Sequence, residues 1–481
     1  MLDFRPILFI TGVLMLPLAV AMCLPAIADV AANNPDWQVF LIAAGFTLFV
    51  GGTLALTSRS KIRAITPRQG FVLTTTLWIV IPGFAALPFA FADMDLSYTD
   101  AFFESMSGLT TTGSTVIRSL DIAPPGILIW RSLLQWLGGI GVIAMAIAIL
   151  PLLRIGGMQL FRMESSDRSE KVLPRTTQLV AYIGFIYLGA SGICALAYWL
   201  AGMSGFDAVA HAMTTIATGG FSTYDASIAH FESATIEYIG LVFMLVGSMP
   251  FVLYLRALRG NARPLLRDDQ VRLFLLVVII AILSIAYYRY SNGVEIEVAL
   301  RESAFNVVSV ITGTGYATAD YGTWGAFALI GFFFLMFVGG CAGSTTCGIK
   351  VFRFQVLYAT AVTQIRRLLE PHGVYLAYYN RKPIPEEVSA SVMAFFFLYA
   401  LSYAVIAIGL GLIGVDFLTA VSGAATAISN VGPGLGPTIG PSGTFATLPD
   451  EAKWLLSAGM LLGRLELFTV IVLLMPSFWR D

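Results

Sequence analysis

Apolar runs long enough to cross a lipid bilayer follow one another along almost the entire chain. They lie near residues 6–27, 37–57, 70–92, 124–151, 177–202, 236–258, 270–289, 324–340, 387–412 and 453–476. Hydrocarbon offers no water to backbone N–H and C=O groups, so a continuous apolar run is held there as a helix, which closes its own hydrogen bonds. Each run is near the roughly 20 residues that a spanning helix needs, which predicts about ten spans. Between alternate spans sit four shorter apolar segments, near 98–110, 206–217, 301–312 and 416–428. At about a dozen residues they are too short to cross and too apolar for ordinary loops, so they predict re-entrant helices.

Composition agrees with a membrane solvent. Of the 481 residues, 57% are apolar and 12% charged, and mean hydropathy is +0.81, far from a soluble domain. Net charge is −1, so no nucleic-acid partner is implied. The four cysteines, Cys23, Cys194, Cys341 and Cys347, lack zinc or redox spacing and read as packing residues. The run from Pro6 to Ile27 follows Arg5 in the manner of a signal peptide. Its length, about 22 residues, exceeds a usual signal core and suits a first span.

Lysine and arginine crowd alternate loops. Arg59, Lys61, Arg63 and Arg68 fill one, and Arg154, Arg162, Arg168, Lys171 and Arg175 the next. Arg256, Arg259, Arg263, Arg267 and Arg272 fill a third, and Lys350, Arg353, Arg366, Arg367, Arg381 and Lys382 a fourth. Intervening loops carry acids such as Asp29, Asp36, Asp93 and Asp95. The positive-inside rule puts the basic loops and both termini in the cytoplasm. A unit of span, re-entrant helix and span crosses twice, so all four units keep one orientation about an axis along the membrane normal. The expected fold is an all-α polytopic membrane protein, with four parallel span–pore helix–span repeats around a central pore and an N-terminal two-helix hairpin. Residues 1–65 form the accessory hairpin; 66–160, 161–262, 263–380 and 381–481 form the repeats, the third with an interrupted second helix.

The four short segments end alike, in Thr110-Thr111-Thr112-Gly113-Ser114, Ala217-Thr218-Gly219-Gly220-Phe221, Thr312-Gly313-Thr314-Gly315-Tyr316 and Ser429-Asn430-Val431-Gly432-Pro433. Alignment on Gly113, Gly220, Gly315 and Gly432 brings Asp100, Asp207, Glu302 and Thr419 to one position near the outer start of each helix. Acids and capping residues are welcome there, at the positive helix end. The negative ends then aim at the loops and favour a cation. Glycine lets the backbone alternate into left-handed conformations, so that successive carbonyls point into a narrow axis. A ring of such carbonyls replaces the water shell of a permeating cation. The expected filter residues are Thr111, Thr112, Gly113, Thr218, Gly219, Gly220, Gly313, Thr314, Gly315, Asn430, Val431 and Gly432. No ring of acidic side chains lines the loops, which argues against a divalent-cation filter of the carboxylate type.

The eighth run is interrupted past its middle by Gly339, Gly340, Cys341, Ala342, Gly343, Ser344 and Thr345. Non-helical backbone at membrane depth survives only in a wet cavity or buried in protein. It predicts a flexible gate beneath the filter, or else a plain kink in the helix. Arg464 lies mid-way along the last run, where a charge costs about 2.5–3.5 kcal/mol on insertion scales. It reads as a fixed positive charge facing the pore below the filter, or as a donor to carbonyls or an interhelical ion pair. Glu466 falls on another face and reads as a partner for another helix. His211 reads as a packed neutral histidine, and Arg131 and Gln135 as hydrogen-bonding braces for the pore helices.

These motifs resemble the Trk/Ktr/HKT superfamily of potassium transporters, and most closely the membrane subunits of bacterial Trk potassium uptake. The resemblance rests on the four loops and on Trp136-Leu137-Gly138-Gly139-Ile140-Gly141, Thr218-Gly219-Gly220-Phe221-Ser222-Thr223, Gly340-Cys341-Ala342-Gly343-Ser344-Thr345 and Gly463-Arg464-Leu465-Glu466, and runs along nearly the whole chain. It implies K⁺ as the transported ion, no organic cofactor in this chain, a homodimer of pores in the bacterial inner membrane, and a cytoplasmic nucleotide-binding regulatory subunit of the NAD or ATP type. In the superfamily, serine at the first filter glycine accompanies Na⁺ transport; Gly113 stands there, which favours K⁺. Asn430-Val431-Gly432-Pro433 departs from the strict potassium-channel pattern. The resemblance leaves K⁺/H⁺ or K⁺/Na⁺ symport, or a less selective Na⁺/K⁺ transporter on the same fold, as alternatives.

An inside-negative potential supplies about 2.3 kcal/mol per 100 mV to an entering cation, enough for roughly fiftyfold accumulation without a coupled ion. A carrier of organic solutes predicts inverted repeats, against the parallel ones expected here. An enzyme is disfavoured because no H-E-x-x-H motif, serine–histidine site or paired aspartates fall at membrane depth. A scaffold without a pore gives no reason for four repeated loops.

Overall fold

The computed structural model describes residues 3–59, 65–148, 176–380 and 382–480. Lys61, Arg63, Arg381, the whole second basic cluster (Arg154, Arg162, Arg168, Lys171 and Arg175) and the expected boundary at 160–161 lie outside the described residues.

Seven helices are long and apolar enough to cross a membrane: Arg5–Ala31, Trp37–Thr57, Pro67–Phe91, Pro125–Met145, Gln178–Leu200, Asp269–Ser291 and Glu386–Leu412. Two further runs are bent pairs. Ala234–Ser248 turns into Phe251–Leu258 by 95°, and Asp450–Arg464 into Phe468–Leu474 by 116°. The eighth run forms only Ala326–Leu335. The ten expected spans therefore resolve into seven helical spans (two of them interrupted, at Met22 and Ala86), two bent pairs and one short helix among the described residues. Hydropathy registers apolar side chains and is blind to backbone breaks. Pro250 pushes the preceding Met249 into extended conformation, at φ −94° and ψ 157°, and stops the sixth run there. The last run breaks where Glu466 and Leu467 both adopt positive φ, at 60° and 56°. The eighth helix ends at Leu335, short of the Gly339-Gly340 pair that the sequence singles out.

The four short helices form where expected, over Tyr98–Leu109, Gly205–Ile216, Ile296–Ile311 and Phe417–Ser429. Their caps do not lie at the aligned acids. Ser97, Ser204 and Asp416 cap three of the helices, accepting the N–H of Asp100, Asp207 and Thr419 at 3.1, 3.0 and 3.1 Å. Asp100 and Asp207 sit one turn inside and receive the capping hydroxyls of Ser97 and Ser204 at 2.8 and 2.7 Å. The third helix begins earlier, so Glu302 falls inside it and pairs with Arg289 at 2.7 Å.

The helix Arg5–Ala21 packs along Trp37–Thr57 and Pro67–Ala85, docking the N-terminal hairpin on the helices that follow. Buried apolar side chains form two large clusters. One centres on the hairpin, residues 78–145 and residues 384–467; the other centres on residues 183–351. The end of the chain closes on its beginning. Lys453, in the last long helix, reaches Asp100 of the first short helix at 2.5 Å. The basic helix Val351–Leu369 leads through an antiparallel ribbon, Tyr378–Tyr379 with Lys382–Pro383, into Glu386–Leu412.

Candidate functional site

All four short helices end in the same way. The residue just past each helix, Thr111, Thr218, Gly313 or Asn430, is left-handed, with φ of 52°, 51°, 68° and 54°. The next N–H then turns back into the helix. Thr112 donates to Ser107 O at 2.8 Å, Gly219 to Thr214 O at 2.8 Å, Thr314 to Ser309 O at 2.9 Å and Val431 to Thr426 O at 3.1 Å. This is the Schellman ending, in which a left-handed residue rescues carbonyls that the helix leaves unpaired. Two residues after the first left-handed position the chain is left-handed again, at Gly113, Gly220, Gly315 and Gly432, with φ of 88°, 77°, 83° and 107°. The alternation expected from the sequence is present in every loop.

The loops meet one another in a closed circle. A Cβ on Gly113 would lie 2.3 Å from the carbonyl oxygen of Gly219; one on Gly220, 1.8 Å from that of Thr314; one on Gly315, 2.2 Å from that of Val431; and one on Gly432, 2.7 Å from that of Thr112. Each loop thus presents the carbonyl before its own glycine to the glycine of the preceding loop, and the fourth glycine returns to the first loop. Glycine is required on two counts, the positive φ and the absence of room for any side chain. Ser114, past the first glycine, donates to Gly432 O at 2.7 Å and ties the first loop to the fourth. Above the circle opens a cavity of about 70 Å³, lined by Ser114, Tyr224, Asp225, Pro433 and Phe445 among others.

Side chains behind the loops hold them in register. Arg131, from Pro125–Ala148, pairs with Glu104 of the first short helix at 2.7 Å, both nearly without solvent exposure, and donates to Ser222 O of the second loop at 2.7 Å. Glu104 also accepts the N–H of Val116 at 2.8 Å. Gln135, one turn on, donates to Gly219 O at 2.6 Å and accepts the N–H of Phe221 at 3.0 Å. Asn430 points away from its own loop, donating to Thr112 Oγ1 at 2.9 Å and to Met460 O at 3.0 Å. His211 is buried, with Nδ1 2.9 Å from Asp207 O and Nε2 3.0 Å from Ser222 Oγ. The bracing expected of Arg131 and Gln135 is present. Glu104 was not singled out from the sequence, although an acid in a short apolar helix is itself a signal.

The candidate gate residues lie together in the non-helical stretch after Leu335. Gly339, Gly340, Cys341, Ala342, Ser344 and Thr345 are buried, and Gly343 is half-buried. Their backbone is satisfied by the break in another helix. Cys341 N–H donates to Ser248 O at 3.0 Å, Thr345 N–H to Gly247 O at 3.1 Å, and Phe251 N–H to Gly343 O at 3.0 Å. Gln270 accepts the N–H of Ala342 at 3.1 Å, and Gly339 N–H donates to Ile349 O at 3.0 Å. Thr345 touches the second loop, its hydroxyl 3.1 Å from that of Thr218. Arg464 stands at the end of Asp450–Arg464, where the last run bends, and not part-way along a continuous span. Its guanidinium donates to Thr345 O at 3.3 Å and Gly138 O at 2.9 Å, and meets the Cys347 thiol. Donation to carbonyls, one of the roles expected for it, is present. Glu466 pairs with Arg353, at the start of Val351–Leu369.

A family model described as "TrkH: Cation transport protein" matches residues 37–480. The chain belongs to this family. It is a multi-pass membrane protein that transports, and it is not an enzyme. It is 49% identical over 481 residues to the Trk system potassium uptake protein TrkI of Halomonas elongata, covering 99% of this chain and 97% of that one. It is 38% identical over 491 residues to the Trk system potassium uptake protein TrkH of Vibrio parahaemolyticus, covering both chains in full. The crystal structure of the potassium transporter TrkH from Vibrio parahaemolyticus superposes on this TrkH-family chain with a TM-score of 0.92, at 36% identity and over all of both chains.

Proposed function

We propose that this chain is the pore-forming subunit of a gated potassium uptake system of the Trk type. K⁺ is the transported ion. It passes through a filter of backbone carbonyls from Thr111–Gly113, Thr218–Gly220, Gly313–Gly315 and Asn430–Gly432. The observation that carries this reading is the closed circle of four glycines, each abutting the next loop's carbonyl. Carbonyl dipoles held at that spacing substitute for water around a dehydrated monovalent cation, and the four helix C-termini behind them add their negative ends. The names of the relatives supply the choice of ion.

In this reading residues 66–160, 161–262, 263–380 and 381–481 are four parallel repeats about the pore, and residues 1–65 an accessory hairpin. The stretch Gly339–Thr345 is the gate, closed beneath the filter with Arg464 as its latch and as the positive charge at the inner mouth. The chain lies in the bacterial inner membrane with both termini inside, pairs with a second copy, and takes its opening signal from a cytoplasmic nucleotide-binding subunit. The membrane potential drives entry, at about 2.3 kcal/mol per 100 mV.

Rubidium uptake into proteoliposomes at an imposed inside-negative potential tests the proposal. Uptake that rises with the potential and resists competition by Na⁺ is expected. Uptake indifferent to the potential, or equally displaced by Na⁺, would overturn it.

A further inference from the structure

The second loop differs from the other three at the residue before its ring glycine. Thr112, Thr314 and Val431 carry side chains there; Gly219 carries none. Its φ is not in the left-handed range, so the backbone does not demand glycine. What excludes a side chain is Gln135. A Cβ on Gly219 would lie 2.4 Å from the Gln135 Cδ and 2.5 Å from its Oε1. Gln135 is fully buried and grips the loop on both sides of Gly220, donating to Gly219 O at 2.6 Å and accepting from Phe221 N–H at 3.0 Å. The Gly219 carbonyl is also the one that abuts Gly113. Among the described residues, no donor reaches its three counterparts, Thr112 O, Thr314 O and Val431 O.

We infer that Gln135 is a specificity-determining positioning residue, whose amide fixes the direction of one ring carbonyl and so sets the preference among monovalent cations. The inference rests on the reading that the four loops form the cation filter. Discrimination between K⁺ and Na⁺ depends on how many carbonyls reach the ion and how far they can follow a smaller one. A carbonyl already accepting a buried N–H is held back from closing on a smaller ion. Three free carbonyls and one tethered carbonyl therefore favour the larger ion more than four free ones would. Gln135 does not touch the ion and acts through Gly219.

The test compares Rb⁺ and Na⁺ uptake by the full-length chain in proteoliposomes. Gln135→Met keeps the bulk behind the loop and removes the donor. The preference for Rb⁺ is expected to fall about tenfold, the weight of one buried hydrogen bond. A preference equal to that of the unaltered chain would show that the residue only fills space, and would overturn the inference. Should Gln135→Met fail to assemble, the double variant Gln135→Ala/Gly219→Thr decides, because it places in the vacated room the side chain found in the first and third loops. A lowered preference there supports the tether, and an unchanged one refutes it. An unaltered chain with no preference for Rb⁺ would overturn the filter reading, and this inference with it.

Discussion

Thr111 and Thr218 hold β-branched side chains at φ near +50°, with values of 52° and 51°, a conformation that costs on the order of 1–3 kcal/mol. Strain of that size persists only where the surroundings dictate the backbone, and here the Schellman bonds and the neighbouring loops do so. The ring glycines have less latitude still. In Gly220→Ala the new methyl would lie 1.8 Å from Thr314 O. The variant is expected to assemble but to lose rubidium uptake by at least about a hundredfold, since misplacing a coordinating group by about 1 Å is costly. Size-exclusion profiles beside flux measurements separate this from misfolding. Arg131→Ala is a different case, because it leaves Glu104 buried without its cation. A loss of about 3–5 kcal/mol is expected, read as a lowered thermal midpoint in detergent. Glu104→Gln, which keeps the acceptor for Val116 N–H and removes the charge, should be milder.

At the scale of elements, the stretch proposed as the gate is held by bonds that can be removed one at a time. Arg464→Ala frees Thr345 O and Gly138 O from their shared donor. Basal rubidium uptake without any activating partner is expected to rise by at least about tenfold, the effect of losing one to two charged hydrogen bonds on a closed state. Deleting part of residues 341–347 should raise basal uptake further, and unchanged uptake in both variants would remove the gate reading. The elements themselves were unevenly legible. The four short helices could be placed from the sequence because apolar length and a glycine-centred ending are both local signals. Asp100 and Asp207 occupy the first turn, where the positive helix end favours an acid as expected, while Ser97 and Ser204, three residues earlier, are the caps that the alignment on the glycines did not bring out. The break at Leu465–Leu467 left no turn signature, since no glycine or proline stands there, and it depends on Arg353 holding Glu466 from a distant helix. Gln135 could be proposed as a brace, but the residue it braces could not, because the partner lies 84 positions away in sequence.

At the scale of the whole molecule, four loops of one chain close into a circle, and that circle has a seam between the fourth loop and the first. Part of that seam is the pair of Lys453 with Asp100, joining the last long helix to the first short one at 2.5 Å with both side chains largely buried. A double-mutant cycle on Lys453→Ala and Asp100→Ala is expected to give a coupling of about 1–3 kcal/mol in thermal stability; additive losses would mean that the ring is sealed elsewhere. The symmetry of the ring also fails in an instructive place. The long helices after the second and fourth loops are bent, and the one after the third is unwound. The third and the second lend each other hydrogen bonds: amides of residues 341 and 345 rest on carbonyls of 248 and 247, and the amide of 251 on the carbonyl of 343. Sliding residues 341–345 away alone would strand these polar groups in an apolar interior, at about 1–3 kcal/mol apiece. A retraction of residues 341–345 that kept these bonds would have to carry the Met249-Pro250 elbow along with it, like the paired leaves of one hinge.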